Sequence, residues 1–200
     1  MDKSAATNLI QTAYEAGCPE EQVRQFLSSG YVALPHLWKF HAAARQVDER
    51  VYGIREIMLD GTRGSAKSHA IIAQVGLDDC QRVPGLKFLF LRLTQKAAGQ
   101  SFADLVARVL QGVKHTQNTE QVTFANGSRI VIGGFKDDND VVKYQGIEYD
   151  GLVLEEATHI SGDKYERLLG SVRTSKPNWV PRVYLSSNPG GLGHLFFRQR

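Results

Sequence analysis

A glycine-bearing loop between an apolar segment and a helix-like segment constrains the fold of this chain more than any other feature. Ile57-Met58-Leu59 precedes the loop, and the apolar run of residues 70–75 follows it. In the order strand, loop, helix, backbone N–H groups and the positive end of the helix surround an anion. The pattern therefore predicts a cradle for nucleotide phosphates. The predicted nucleotide-binding residues of this loop are Gly61, Thr62, Arg63, Gly64, Ser65, Ala66, Lys67 and Ser68.

Two side chains of the loop have predicted roles toward ATP and Mg²⁺. Lys67 can reach the β- and γ-phosphate oxygens, and the Ser68 hydroxyl can hold Mg²⁺. Ala66 departs from the usual pattern, in which glycine precedes the lysine because the backbone lies close to phosphate or adopts a positive φ. We interpret the loop as a variant phosphate loop. The alternative is a chance turn rich in glycine and serine.

Length and composition restrict the class of protein without identifying it. A chain of 200 residues can form one α/β domain, with or without a small appendage. The net charge of +3 is compatible with a nucleic-acid partner but does not require one. Cys18 and Cys80 form no CxxC pair, which argues against a zinc site or disulfide scaffold and favours a reducing compartment. We see no membrane-spanning run and no signal peptide.

The N-terminal third predicts a helical hairpin followed by a mixed segment. Helix-like residues 4–16 end at Gly17-Cys18-Pro19, and a second short helix ends at Ser28-Ser29-Gly30. We therefore predict an N-terminal helical appendage over 1–30 and a nucleotide-binding domain over 31–200. The appendage is either packed on the domain or a docking site for a partner. Trp38 and Phe40 can either stack on the base of a nucleotide or pack in the core.

The middle of the chain predicts an α/β sheet with an added hairpin. Residues 87–92 are nearly all apolar, as in a buried parallel strand, and residues 102–110 have helical spacing. Asn126-Gly127 between two strand-like runs predicts a β-hairpin. We expect residues 133–140 to form an exposed loop. The predicted fold is a mainly parallel central sheet flanked by helices, with an antiparallel hairpin.

A buried strand that ends in two carboxylates supplies the acids that a phosphate loop needs. Residues 151–154 are apolar or glycine, and Glu155 and Glu156 follow them. We assign Glu155 to Mg²⁺, although Asp is commoner there, and Glu156 to general-base activation of water. The alternative is a solvated acidic turn.

A third strand-like segment, residues 180–185, ends in small polar side chains. Ser186, Ser187 and Asn188 at the tip of such a strand can contact the γ-phosphate and report its hydrolysis. The segment continues as Pro189-Gly190-Gly191, so an ordinary turn is the alternative.

Together these features resemble the ATPase domain of tailed-phage terminase large subunits. The resemblance covers about residues 57–197 and rests on the order of four segments. They are the arginine-containing phosphate loop, the Asn-Gly hairpin with Lys143-Tyr144-Gln145-Gly146-Ile147 after it, Leu154-Glu155-Glu156-Ala157, and Ser186-Ser187-Asn188-Pro189-Gly190-Gly191 followed by Gly193-His194.

The resemblance implies a motor ATPase of the ASCE (RecA-like) P-loop class that pumps double-stranded DNA into an empty capsid. It implies a homo-oligomeric ring on the portal protein, with a monomer in solution as an alternative, a small terminase subunit as partner, and the host bacterial cytoplasm as location. It places the catalytic acid on a strand adjacent to the phosphate-loop strand. Arg63 would contact the γ-phosphate from within its own loop, with Lys67 and Glu156 completing the catalytic set.

The resemblance also leaves several points open. Such proteins continue into a nuclease domain, so we expect this chain to be the N-terminal part of a longer protein, without nuclease activity of its own. Arg92, Lys143 and Arg173 are candidates for an arginine or lysine acting in a neighbouring subunit. A helicase or loader ATPase, or a nucleotide-binding assembly module with little catalysis, are the alternatives. Candidate DNA contacts toward the end of the chain are Arg167, Arg173, Lys176, Arg182, Arg198 and Arg200.

Overall fold

A seven-stranded sheet organises the protein. The computed structural model describes residues 3–46 and 54–200. The sheet has the order β1-β7-β6-β2-β5-β4-β3; neighbours are parallel from β1 to β5, and β4 and β3 add antiparallel strands. This confirms the predicted mainly parallel sheet with an added hairpin. The strands are β1 Arg55–Leu59, β2 Lys87–Arg92, β3 His115–Gln117, β4 Gln121–Phe124, β5 Arg129–Gly134, β6 Gly151–Glu155 and β7 Arg182–Ser186.

Helices flank this sheet, and several begin at side chains that cap them. The Thr94 hydroxyl accepts the Ala97 N–H at the start of helix Gln95–Val109, and the Ser161 hydroxyl accepts the Lys164 N–H at the start of helix Gly162–Leu169. The helix after the phosphate loop has three parts, because a π-helical segment, Gln74–Asp79, joins α4 to α5. The α-helices are α1 Lys3–Glu15, α2 Glu20–Ser28, α3 Trp38–Gln46, α4 Lys67–Ala73, α5 Cys80–Arg82, α6 Gln95–Val109, α7 Asp138–Val142, α8 Gly162–Leu169 and α9 His194–Gln199.

The order of strands corrects one expectation. We expected the strand with the catalytic acid to lie beside the phosphate-loop strand, but β7 lies between β1 and β6. Ser186 of β7 pairs with Leu59 on one side and with Glu155 on the other. Parallel strands are joined by long crossovers, so the order along the chain does not determine the order in the sheet. As a result, three strand tips meet at one edge.

Both faces of the sheet are covered. Phe88 and Phe90 of β2 lie in one hydrophobic cluster, and Leu89 and Leu91 lie in the other. The first cluster includes side chains of α4 and α6, and the second includes side chains of α8 and α9. This two-sided burial is why β2 and β6 are apolar along almost their whole length.

The predicted N-terminal helices are present and share the first hydrophobic cluster with the rest of the protein. Phe26 of α2 and Trp38 of α3 are fully buried in the same cluster as Ile71 of α4. Trp38 and Phe40 therefore pack in the core, and the base-stacking alternative for these two rings is wrong. The end of this predicted mixed segment, residues 47–50, lies outside the described residues.

Two local features differ from the sequence predictions. Residues 138–140, expected in an exposed loop, lie in α7, because the side chains of Asp137 and Asp140 make a reciprocal capping box. Gly133 and Gly134, expected in the same loop, belong to β5 and are buried. A Cβ on Gly133 would lie 2.0 Å from the Tyr144 hydroxyl, so this strand accepts no side chain there. None of the helices described is long and apolar enough to cross a lipid bilayer.

Candidate nucleotide-binding site

A cleft of about 650 Å³ opens where the tips of β1, β7 and β6 meet the start of α4. It brings together most of the site residues predicted from the sequence. The cleft is lined by Arg63, Gly64, Ser65, Ala66, Lys67, Ser68, His69, Arg92, Ser101, Asp104, Leu105, Arg108, Glu155, Glu156, Ser186, Ser187 and Asn188.

The backbone of the phosphate loop explains why glycine is usual before the lysine. Ala66 has φ 58° and ψ 20°, in the left-handed region, and its carbonyl accepts the first helical hydrogen bond, from Ala70 N–H at 3.0 Å. For a residue with a Cβ this conformation costs about 1–2 kcal/mol, whereas glycine adopts it freely. The loop therefore keeps the geometry of a phosphate loop together with local strain.

The Lys67 ammonium lies in the centre of its own loop. Its Nζ donates to the carbonyl oxygens of Gly61 at 3.0 Å and Thr62 at 2.8 Å, and to Ser65 Oγ at 3.1 Å. It also donates to Asn188 Oδ1, in the segment after β7, at 3.2 Å. Partial burial lowers the pKa of Lys67. The lysine thus already links the phosphate loop to the segment after β7.

The two carboxylates after β6 have different surroundings. Glu155 is buried, and its Oε2 accepts a hydrogen bond of 3.2 Å from Ser101 Oγ on α6. Glu156 is half-buried and is held by Arg92, whose Nε and Nη2 donate to its two oxygens at 3.2 and 2.7 Å. The Arg92 hydrogen bonds keep the pKa of Glu156 below its usual value, against the opposing effect of burial. Glu156 is therefore a carboxylate held by a bidentate ion pair.

Backbone strain among the described residues concentrates in this cleft. Ala66 and Glu156, with φ 58° and 54°, are the two non-glycine residues of positive φ in the described part of the chain. Both line the cleft. Strained conformations of this kind cluster at functional sites, where the surrounding structure holds them in place. The strain is an independent reason to place function here.

The segment after β7 is tied to both the phosphate loop and the acid strand. Ser187 N–H donates to Leu59 O at 3.0 Å, which extends the pairing of β7 with β1. Ser187 Oγ donates to Thr158 Oγ1 at 2.9 Å, in the turn after Glu156. Because Asn188 also accepts a hydrogen bond from Lys67, the segment contacts both the phosphate loop and the turn after Glu156.

Other predicted residues have varied positions. Arg63 is exposed at the mouth of the cleft and helps to lower the pKa of Glu156. Arg92, a candidate for action in a neighbouring subunit, instead binds Glu156 of its own chain. Lys143 and Arg173 do not line the cleft; Lys143 pairs with Asp140 at 2.7 Å, and Arg173 with Glu148 at 4.0 Å.

Burial removes one of the candidate DNA contacts, and ion pairs hold several of the others. Arg182 is fully buried, lies 3.6 Å from the Trp179 ring centroid and donates to Ala44 O, so it cannot contact DNA in this structure. Lys176 pairs with buried Asp150 at 2.8 Å. Arg200 pairs with Glu56 at 2.7 Å. Arg167, Arg173, Arg198 and Arg200 are exposed.

Sequence reasoning missed three contacts of the site. Ser101 contacts Glu155, Thr158 contacts Ser187, and Arg92 contacts Glu156 within the same chain. Of these three residues, only Arg92 had a signal, because it is a charged residue at the carboxyl end of a buried parallel strand, where ligands bind in such sheets. Ser101 and Thr158 are single hydroxyls without a sequence pattern.

The residues of the cleft fit a magnesium ion bound together with phosphates. Among residues 3–46 and 54–200, no group of three or more His, Cys, Asp or Glu side chains could hold a metal by itself. Mg²⁺ needs no such cage, since it is usually bound by one or two carboxylates, phosphate oxygens and water. Buried Glu155 and the Ser68 hydroxyl line the same cleft and are suitable ligands.

This sheet and cleft define the chain as a member of the P-loop NTPase fold class, with the acid pair one strand removed from the phosphate-loop strand. A family model described as "Phage terminase large subunit" matches residues 55–199. The chain therefore belongs to the phage terminase large subunit family. No curated protein matches it.

Solved structures of terminases share this fold. The large terminase of a thermophilic bacteriophage in complex with ATP-gamma-S matches with a TM-score of 0.63 and 14% identity, covering 82% of this chain and 40% of that one. The large terminase ATPase domain of Thermus phage P74-26 matches with a TM-score of 0.53 and 17% identity, covering 82% and 68%. The bacteriophage HK97 large terminase matches with a TM-score of 0.56 and 14% identity, covering 77% and 33%. The chain thus spans two fifths or less of the first and third of these terminases.

Proposed function

We propose that this chain is the ATPase domain of a terminase large subunit, which powers translocation of viral DNA into the procapsid by Mg²⁺-dependent ATP hydrolysis. The observation that carries the proposal is the meeting of Lys67, Glu155, Glu156 and Asn188 in one cleft at the end of parallel strands. The family supports the motor function, and the thermophilic-phage terminase in complex with ATP-gamma-S supports the nucleotide.

Phosphate binding would use the loop and the lysine. The N-terminus of α4 carries partial positive charge, and the loop N–H groups can donate to the phosphates. Lys67 would exchange its contacts with Gly61 O and Thr62 O for the β- and γ-phosphate oxygens. Arg63, at the mouth of the cleft, would add charge at the γ-phosphate. Catalysis of this type rests on positioning and electrostatic stabilisation rather than on covalent chemistry.

Glu156 would orient and deprotonate the attacking water. The hydrogen bonds from Arg92 lower its pKa and so favour the ionised form, which is the form that acts as a general base. Arg92 donates one hydrogen bond to each oxygen of the carboxylate, and each oxygen has a second lone pair that can accept from the attacking water. Arg92 would thus hold Glu156 in position while the carboxylate acts.

Ser68 and Glu155 would hold Mg²⁺, with Ser101 fixing the Glu155 carboxylate. When bound, Mg²⁺ neutralises charge that develops on the β- and γ-phosphates. The proposed wider assembly follows the family: double-stranded DNA, the portal protein and the small terminase subunit as partners, and a homo-oligomeric ring on the procapsid in the host bacterial cytoplasm. Nuclease activity is not part of the proposal.

Steady-state ATP hydrolysis with Mg²⁺, measured over a range of protein concentrations, tests the proposal. The wild-type chain should hydrolyse ATP, Lys67→Ala should abolish turnover, and Glu156→Gln should bind ATP without cleaving it. Lys114→Ala, at an exposed position outside the cleft, is the matched control. A specific activity that rises with concentration supports the ring. Binding without hydrolysis in the wild type would favour the assembly module. The absence of both binding and hydrolysis in the wild type would refute the phosphate loop.

A further inference from the structure

Thr158 lies at the junction between the catalytic-acid turn and the segment after β7. It belongs to the 3₁₀ turn Ala157–His159, which directly follows Glu156. Thr158 is 3% exposed, and Ser187 is 1% exposed. The Thr158 hydroxyl is therefore a buried polar group whose hydrogen bonds are made within the protein.

Its partners lie on the segment after β7. Ser187 Oγ donates to Thr158 Oγ1 at 2.9 Å, and Thr158 Oγ1 donates to the main-chain oxygen of Asn188 at 3.3 Å. The Thr158 carbonyl accepts Gly193 N–H at 2.8 Å. A Cβ on Gly191 would lie 2.6 Å from that carbonyl, so the two segments are in close contact.

The same asparagine also contacts the phosphate loop. Asn188 Oδ1 accepts from Lys67 Nζ, and this contact must change when Lys67 turns to a phosphate. The main-chain oxygen of Asn188 accepts from Thr158 Oγ1, two residues after Glu156, and lies 3.0 Å from Ser187 Oγ, which can also donate to it. A continuous series of contacts therefore runs from the residue that binds phosphate to the residue that activates water.

We infer that Thr158 is a positioning residue that couples nucleotide binding at Lys67 to the position of Glu156. This inference rests on the proposed function. A movement of Asn188 on nucleotide binding shifts the Thr158 hydroxyl, and the short turn transmits the shift to Glu156, which Arg92 holds by two hydrogen bonds. Thr158 itself touches neither phosphate nor water, so it acts only through Asn188 and the turn.

The test uses Thr158→Val, which keeps the β-branched shape and removes the hydroxyl, and Thr158→Ser, which keeps the hydroxyl. Hydrogen exchange of residues 61–68 and 156–160 is measured with and without ATP-gamma-S. His159 N–H and Ile160 N–H, which donate to Glu156 O and Ala157 O, report on the turn. In the wild type, ATP-gamma-S should alter exchange in both segments.

The Val variant should keep the response of residues 61–68 and lose that of residues 156–160, whereas the Ser variant should show both. The kcat of the Val variant should fall about tenfold, the effect of one buried hydrogen bond, with KM changed less than about twofold. Thr123→Val on β4, outside the cleft, controls for the chemistry of the substitution.

Two results would overturn the inference while leaving the proposed function intact. One is an unchanged response of residues 156–160 in Thr158→Val, and the other is a Ser variant that behaves like the Val variant. A wild-type phosphate loop that shows no response to ATP-gamma-S would instead refute the proposed nucleotide site and, with it, this inference.

Discussion

Ala66 and Glu156 show how single residues can carry strain for a site. Both adopt left-handed backbone conformations that glycine would adopt at lower cost. At Glu156 the side chain is needed for the proposed chemistry, so glycine is not an alternative. At Ala66 the side chain is a single methyl group, partly buried against the first hydrophobic cluster. Replacing Ala66 by glycine would remove little buried apolar surface, so the change in the free energy of unfolding measures the backbone strain at this position.

Ala66→Gly should raise the free energy of unfolding by about 1 kcal/mol, because the strain that glycine removes at φ 58° outweighs the loss of one partly buried methyl group. Chemical denaturation measures the change. Ala103→Gly, at an exposed position in the middle of α6, should lower stability by about 1 kcal/mol. If both substitutions destabilise the protein equally, the left-handed conformation of Ala66 carries no measurable strain.

Arg92→Gln should shift the acid limb of the pH profile of kcat/KM to higher pH. Arg92 lowers the pKa of Glu156 by hydrogen bonding, so its removal lets that pKa rise and leaves less carboxylate at mildly acidic pH. The profile is measured for ATP hydrolysis between about pH 4 and pH 8, a range chosen around the usual pKa of a glutamate.

Arg108→Gln serves as the control, since Arg108 lines the same cleft and is absent from the causes of the Glu156 shift. An acid limb that stays in place in Arg92→Gln would contradict either the ion pair or the assignment of Glu156 as base.

Among the elements, β2 and α6 together supply a partner to each of the two acids. Arg92 at the end of β2 binds Glu156, and Ser101 on α6 binds Glu155. The Thr94 cap fixes the start of α6 two residues after Arg92, so the two partners are held close together along the chain. This strand and helix thus complete the site without contributing a recognised motif.

Ser101→Ala should raise the Mg²⁺ concentration needed for half-maximal nucleotide binding by about three- to tenfold, through loss of one hydrogen bond to the carboxylate. Titration of Mg²⁺ into the protein with a fluorescent ATP analogue gives this value independently of turnover.

Ser175→Ala, on a loop outside the cleft, should leave the Mg²⁺ dependence unchanged. Ser101→Thr, which keeps a hydroxyl, should show nearly the wild-type Mg²⁺ dependence. Identical Mg²⁺ titrations for Ser101→Ala and the wild type would exclude a positioning role for Ser101.

The sequence allowed prediction of elements with a local pattern, but not of their neighbours in space. The phosphate loop, the Asn126-Gly127 hairpin and the strand before Glu155 all have short-range signals. The position of β7 between β1 and β6 has no short-range signal, because the lengths of the crossover connections do not determine which strands become neighbours in the sheet. The contacts of Ser101 and Thr158 join residues 54 and 29 positions apart, and single hydroxyls give no periodicity from which to infer them.

For the molecule as a whole, the N-terminal helices are part of the main core. Val23 and Phe26 of α2 are buried in the cluster that also contains side chains of α4. Gln22 donates to His41 O at 3.0 Å and to Gln74 Oε1 at 3.1 Å, in the π-helical segment. These contacts lead us to expect that residues 1–30 cannot be removed without loss of stability.

Deletion of residues 1–30 should lower Tm by about 10–20 °C, because Val23, Phe26 and their neighbours leave the core. Phe26→Ala should lower stability by about 3–5 kcal/mol, whereas Tyr14→Ala, at a residue 43% exposed, should have little effect. Thermal unfolding measures all three. A truncated chain with a Tm within about 3 °C of the wild type would mean that residues 1–30 are a detachable appendage.

The contacts of Lys67 also have a consequence for the thermodynamics of nucleotide binding. A phosphate loop without internal contacts would have to be ordered by its ligand, at an entropic cost. Here one ammonium group cross-links the loop to itself and to Asn188, and these contacts hold the loop in an ordered conformation. Binding then becomes an exchange of one set of oxygen acceptors for another. The net affinity should depend on the difference between the two sets more than on the ordering of the loop.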